Sequence, residues 1–375
     1  MSSAGPGLYV HVPFCAHKCE YCAFYSHAPG GDQIDRYVSA LIREMEMVAD
    51  GSPPRTTFFG GGTPSLLNLR QWENVLNAMG RLGLTGAPEW TVECNPATVS
   101  LDKAKLLRSH GVNRVSMGVQ SLNESLLERL GRIHTRDMVF RSFDILREAG
   151  FENINLDLMF AIPGQTLEIW RNTLSETIAM GSEHLSSYEV IYEEDTPLYA
   201  QLQAGEFDVD EDLACAMYDE LIDSAAAAGF VQYEIANFAR SGRRCQHNVN
   251  YWRAAEYHGL GPSAAGYIGG IRTKNWSNTT MYCEQLEKGV RPTESREQLS
   301  PIGRAGETAA FGLRMNEGWS LNEFRSLTGF ELQHEWKTEI NSLSARGWAQ
   351  LTDERLHLTR EGLRFADAAA SDFLR

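Results

Sequence analysis

The chain has 375 residues, 43% hydrophobic and 22% charged, the composition of an ordinary globular protein. That length exceeds one small core, so one large domain with appended units is expected. A net charge of −15 argues against a sliding nucleic-acid binder, whose affinity rests on Lys and Arg neutralising phosphates. Arg243 and Arg244 are the nearest approach to a basic patch, and two loop arginines are more often solvated charge. No apolar run reaches the roughly 18 residues of a membrane span. The opening residues show no basic stretch followed by an apolar one, so a cytoplasmic protein, not an integral membrane protein, is expected. That compartment is reducing, and the seven cysteines then point to metal or free thiols rather than disulfides.

In chain order, a β-like run over Leu8–Val12 leads into Cys15, Cys19 and Cys22, spaced C-x3-C-x2-C. An amphipathic helix is predicted over Asp32–Val48, with Ile34, Tyr37, Val38, Leu41 and Ile42 on one face. Thr56–Gly60 reads as a second strand and runs into "GGGTPS". Trp90–Cys94 is a third, closing on "ECNP", and a helix from Ser100 stops at Gly111. Arg114–Val119, Ile154–Phe160 and His184–Val190 complete six strands, with helices near Asp137–Gly150 and Thr166–Met180. Strands alternating with helices argue for parallel β/α units in a barrel, a part-barrel or an open sheet. The unusual motifs all fall where strands end, which is where a β/α barrel builds its active site, so the barrel is favoured. Beyond Asp208 a long helix (Glu211–Gly229) and one strand (Phe230–Ala239) precede an irregular stretch containing "CQHNVNYW" and "GLGPSAAGYIGG". The chain turns helical again from Leu299 and ends in strand, turn, strand and a capped helix, similar to a small winged-helix unit.

Three thiolates on one loop can hold three irons of a [4Fe–4S] cluster, leaving the fourth iron for a small molecule. Zinc with a distant fourth ligand, or three packed thiols, are the alternatives; His11, His17 and His27 flank the loop without a zinc-finger spacing. Gly60, Gly61 and Gly62 lack a Cβ, so backbone there can approach a ligand closely, although a bare triple glycine is more often a tight turn. Glu93 is an acceptor-only carboxylate suited to a pair of ribose hydroxyls, or to a strand-end ion pair. Arg132 offers a bidentate fork for a carboxylate.

The C-x3-C-x-aromatic-C pattern, with Tyr21 at the aromatic position, and "GGGTP" after the second strand resemble the radical S-adenosylmethionine (SAM) superfamily. The likeness runs on through "ECNP", "RVSMGVQS", "LGRIHT", "NLDLMFAIPGQT", "HNVNYW" and "LTREG" and spans almost the whole chain. In combination these motifs are similar to the group that contains oxygen-independent coproporphyrinogen III oxidase and the HemW-type heme chaperones. The resemblance implies an α/β fold, a partial (β/α)6 TIM-type barrel with a C-terminal helical, winged-helix-like unit. It divides the chain into a barrel core (1–230), a connecting region with the H-N-x-x-Y-W motif (231–298) and a C-terminal domain (299–375). It implies a [4Fe–4S] cluster on Cys15, Cys19 and Cys22. It places Tyr9, Tyr21, Gly60, Gly61, Gly62, Thr63, Pro64, Glu93, Gln120, Arg132 and Asp157 around SAM or a second ligand, though any one of these polar groups could be structural.

Two features separate the branches of that group. The oxidases carry a further cysteine two places after the third, where this chain has Phe24, and an extension of tens of residues before the loop, where this chain has 14. Both favour a heme chaperone that binds heme and passes it to an unidentified acceptor protein, a membrane respiratory protein being one option. His247 is then the candidate heme ligand, with Tyr251 and Trp252 able to stack on a porphyrin. A histidine and two aromatics packing the loop onto the barrel are the alternative. Coproporphyrinogen oxidation is the second function class and radical-SAM tRNA modification the third, the latter opposed by the acidic charge.

Overall fold

A computed structural model describes residues 5–375. Six strands, β1 (Gly7–Val12), β2 (Thr56–Gly61), β3 (Glu89–Cys94), β4 (Arg114–Gln120), β5 (Ile154–Phe160) and β6 (His184–Glu189), pair in sequence order and all run parallel. Each connection carries a helix, beginning with α1 (Gln33–Val48), α2 (Leu69–Arg81) and α3 (Leu101–Ser109). The barrel expectation therefore holds as a (β/α)6 part-barrel. Ser100 occupies the N-cap position of α3, but its hydroxyl makes no capping bond.

Period-2 alternation divides each strand between two environments. Val10, Phe59, Val92, Val115, Leu156 and Leu185 point outward and are buried under the helices. Each such side chain contributes about 1.5–3 kcal/mol when fully buried. The alternate positions face the lumen and are mostly polar: Glu93, Ser116, Asn155, Asp157, His184 and Ser186. They satisfy one another. Asn155 donates to Ser116 Oγ (2.8 Å) and Asp157 Oδ1 (2.7 Å), and His184 joins Asn155 to the Tyr233 hydroxyl.

The remaining chain lengthens the same sheet. The single strand expected over Phe230–Ala239 is instead a hairpin, β7 (Val231–Glu234) and β8 (Asn237–Ala239), with β8 antiparallel to β6. Its tight turn forms because the Glu234 carboxylate accepts from Ala236 N (3.1 Å) and from the Asn237 amide. The glycine-rich stretch is not irregular. It carries β9 (Tyr257–Leu260), parallel to β1, and β10 (Ala265–Ile268), followed by β11 (Ile271–Asn275) and β12 (Thr293–Glu297). Gly259 leaves no room for a Cβ against the Ala265 carbonyl, which is why the strands there need glycine. Residues 231–298 thus continue the barrel sheet, whereas residues 305–373 form a second core around Trp319, Phe324 and Trp336. That C-terminal unit combines helices with a three-stranded sheet (Trp319–Ser320, Arg355–Leu358, Ala349–Leu351). Among the described residues no helix is long and apolar enough to cross a membrane.

Candidate functional site

The cysteine loop leaves the C-terminal end of β1 and is pinned at several points. Cys15 N donates to His27 O (3.1 Å), and His27 N donates back to Pro13 O (2.9 Å). Glu20 N donates to Leu130 O, and Glu20 O accepts from Leu198 N, so the strand-4 and strand-6 sides of the barrel mouth both hold the loop. The GGGTP turn docks beneath it through Gly62 N to Val12 O (2.8 Å) and Thr63 N to Phe14 O (2.7 Å). A Cβ on Gly62 would lie 2.7 Å from both of those carbonyl oxygens. Gly61 has φ +99° and lies flat against the His11 imidazole.

Donors point at two of the sulfurs. Thr63 Oγ1 lies 3.4 Å from Cys15 Sγ, and Arg132 Nη1 lies 3.5 Å from Cys19 Sγ. Arg132 Nη2 also donates to Gly118 O (2.7 Å), so one guanidinium joins the cysteine loop to the end of β4. Burial pushes the Cys22 thiol up, and the neighbouring Cys19 and Cys15 sulfurs add to the rise. Among the described residues no group of three or more His, Cys, Asp or Glu side chains converges as a single-ion site. A half-buried thiol loop with hydroxyl and guanidinium donors, above a cradle that any Cβ would fill, fits a multi-sulfur cluster and its small-molecule ligand.

Glu93 accepts from Gly61 N (3.2 Å) and its carboxyl abuts Gly60. Burial, with the Asp157 charge across the lumen adding to it, raises its pKa to about 8. Asp157 is also raised by burial, against the pull of its bonds from Ser116 and Asn155. Gln120 ends β4 at φ +63°, beside a bulge at Gly118. A non-glycine residue in that conformation is held by its surroundings and marks strained backbone at the mouth. Tyr21 packs into the apolar cluster of Leu126, Leu130 and Met159 beside the loop. Tyr9 lies deeper, its hydroxyl donating to His11 Nδ1 (3.0 Å), while His11 Nε2 donates to Tyr25 O (2.8 Å). These bonds set the His11 tautomer.

His247 is elsewhere. Its stretch folds as a helix, Gln246–Trp252, across the opposite, N-terminal end of the barrel. The Glu89 carboxylate caps that helix, accepting from Gln246 N (2.8 Å) and His247 N (2.9 Å). The imidazole is buried, stacks on Phe58, and spends both nitrogens internally, on Thr56 Oγ1 (2.8 Å) and the Tyr251 hydroxyl (2.8 Å). Burial, and the Arg114 charge, push its pKa down to about 3. Both imidazole nitrogens are engaged inside the protein in this arrangement, as the packing alternative for His247 expects.

Other groups at the mouth carried no signal in the sequence. Lys103 on α3 donates to Ser65 O and to Thr98 O (3.2 Å), and Asn95 N donates to Ser65 Oγ (3.1 Å). Together they staple the GGGTPS turn to the ECNP turn. Thr279, far away in sequence, meets both Tyr25 and His27. A lysine in an amphipathic helix or a threonine at a helix start is too common a feature to be singled out.

Known proteins bear on this arrangement. The profile of the Radical SAM superfamily matches residues 9–176, and that of the HemN C-terminal domain matches residues 299–365. A Bacillus subtilis (strain 168) protein named heme chaperone HemW is 34% identical over 372 residues, covering 98% of each chain. Its namesake in Escherichia coli (strain K12) is 32% identical over 373 residues, covering 98% of this chain and 97% of that one. The chain belongs to the HemW family. Within the radical SAM superfamily, that membership implies a [4Fe–4S] cluster and SAM. The solved coproporphyrinogen III oxidase (HemN) from Escherichia coli shares the fold, with a TM-score of 0.87 over 99% of this chain and 90% of that one, at 21% identity.

Proposed function

We propose that the protein is a heme carrier built on a radical SAM barrel, which binds heme and hands it to an acceptor protein. The observation that carries this reading is the full-length likeness to proteins named heme chaperones, at 32–34% identity. Phe24 supports it: the position where the oxidases have a further cysteine is a side chain 70% exposed beside the loop. The competing activity, oxidation of coproporphyrinogen III, has the shared fold and the HemN-type C-terminal domain in its favour.

In this reading Cys15, Cys19 and Cys22 hold the cluster, and Thr63 and Arg132 donate to its sulfurs. Gly60, Gly61, Gly62, Thr63 and Pro64 cradle SAM at close backbone approach, with Glu93, Gln120 and Asp157 around it and Tyr21 packing the loop. Tyr9 acts through His11, holding the loop from below. When bound, cluster and SAM supply one-electron chemistry. The chain's own part is to bind and orient them and to keep Glu93 protonated near neutral pH, so that it can donate as well as accept a hydrogen bond. The test is an anaerobic titration of the reconstituted protein with heme. A saturable Soret change near one equivalent supports the carrier, and the absence of any spectral change refutes it.

A further inference from the structure

A cavity of about 200 Å³ opens where the helix Gln246–Trp252 and the β9–β10 hairpin meet the helix Pro301–Gly312 of the C-terminal unit. Trp252, Tyr257, Tyr267 and Phe311 form its walls, with Arg272 and Glu307 at one end. The rings are already placed. Trp252 and Phe311 meet edge to face at 6.4 Å, and Tyr257 packs on Tyr251 at 4.5 Å. Ala254, in the same wall, has φ +53°, a sparsely populated conformation for alanine that turns the chain from the helix into β9. The Trp252 indole N–H is buried without a partner, so the wall is not optimised as plain core.

Size and charge restrict the occupant. Ligand pockets that enclose a whole drug-sized molecule span about 300–1,000 Å³, so this one takes only part of a tetrapyrrole. Arg272 is held between Glu307 (2.6 Å) and Glu297 (2.9 Å), so the polar end is paired and net acidic. Among the residues lining the cavity, a propionate would meet Glu307 and an arginine already paired twice, and a desolvated unpaired charge is strongly disfavoured. The edge that enters must be flat and uncharged.

Resting on the heme-carrier reading, we propose that this aromatic cavity grips one vinyl- and methyl-bearing edge of heme and leaves the propionates in water. Protoheme has two pyrroles without a propionate. Coproporphyrinogen carries one on every pyrrole, as does coproheme, the iron complex of the corresponding oxidised porphyrin, and neither has such an edge to offer. The cavity therefore selects the finished heme over the four-propionate tetrapyrrole. Shallow seating leaves most of the macrocycle accessible for transfer to an acceptor.

The experiment titrates the full reconstituted chain with ferric protoheme and ferric coproheme, read by Soret absorbance and tryptophan quenching. Wild type should bind protoheme at least about tenfold more tightly than coproheme, and Phe311→Glu and Tyr267→Ala should each weaken protoheme about tenfold or more. Unchanged melting curves would show that these variants fold. Equal affinity for the two hemes, or protoheme binding that both variants leave intact, overturns the cavity assignment while the carrier reading stands. A wild type that binds no heme overturns both.

Discussion

Gly62→Ala tests the packing of the barrel mouth directly. The new Cβ would lie 2.7 Å from the carbonyl oxygens of Val12 and Phe14 and 2.9 Å from Phe14 N. All three are backbone atoms at the root of the cysteine loop and cannot swing aside as a side chain would. Overpacking of a tight site costs about 1–3 kcal/mol. The Gly62–Val12 and Thr63–Phe14 hydrogen bonds would stretch, at about 1 kcal/mol each. A loss of about 3–5 kcal/mol follows, a large part of the roughly 5–15 kcal/mol that holds a domain together. For a chain of this size that lowers the melting temperature by about 4–6 °C, measurable by calorimetry. The displaced loop should also retain less iron after reconstitution and bind SAM more weakly. Gly80→Ala is the control: it lies inside α2 with nothing within 4 Å of its Cβ and should stabilise by about 0.5–1 kcal/mol. A Gly62→Ala protein that melts with wild type and keeps its iron would refute the reasoning.

Glu93 keeps a proton in the folded chain up to about pH 8, whereas the unfolded chain releases it near 4.5. Its contribution to stability is complete below the unfolded value and lost as pH rises towards 8, so Glu93→Gln should flatten the fall in urea midpoint over that window. His247 has the opposite sign: it stays neutral in the fold down to about 3, so its contribution is present above 6.5 and lost on acidification, and His247→Gln should reduce that acid sensitivity. Glu44, fully buried, accepts from Gly261 N (2.8 Å), Asn275 Nδ2 (2.7 Å) and the Tyr282 hydroxyl (2.6 Å), tying α1 to β11 and to the helix Thr279–Glu287. Glu44→Ala orphans three donors and should cost about 3 kcal/mol or more in urea unfolding. Arg132→Lys keeps the charge but loses the fork between Cys19 and Gly118, and should weaken SAM binding about tenfold while the cluster spectrum persists.

The barrel was legible because its strands bury one face so consistently. Val10, Phe59, Val92, Val115, Leu156 and Leu185 each sit in a short β-branched or aromatic run followed by an odd motif, and both signals are local. The mouth was legible for the same reason, since its cysteines, glycines and Glu93 all lie at strand ends. What lay hidden depends on distant partners. "QHNVNYW" has mediocre helix propensity and folds as a helix because Glu89, far upstream, caps it. No spacing rule shows that His247 faces Thr56, 191 residues away, rather than a ligand. Four- and five-residue strands, two interrupted by a glycine and two largely polar, carry too little alternation to stand out, so the sequence does not reveal the extension of the sheet through β9–β12. The aromatic cavity draws on residues from Tyr251 to Phe311 across two units, a juxtaposition that only the packed fold creates.

The most direct test of the central claim is to incubate the reconstituted, reduced protein anaerobically with SAM and coproporphyrinogen III and to analyse the tetrapyrroles. A heme carrier returns coproporphyrinogen unchanged while the same preparation binds protoheme. Accumulation of protoporphyrinogen IX, with SAM consumed in proportion, would contradict the account and make the chain an oxidase.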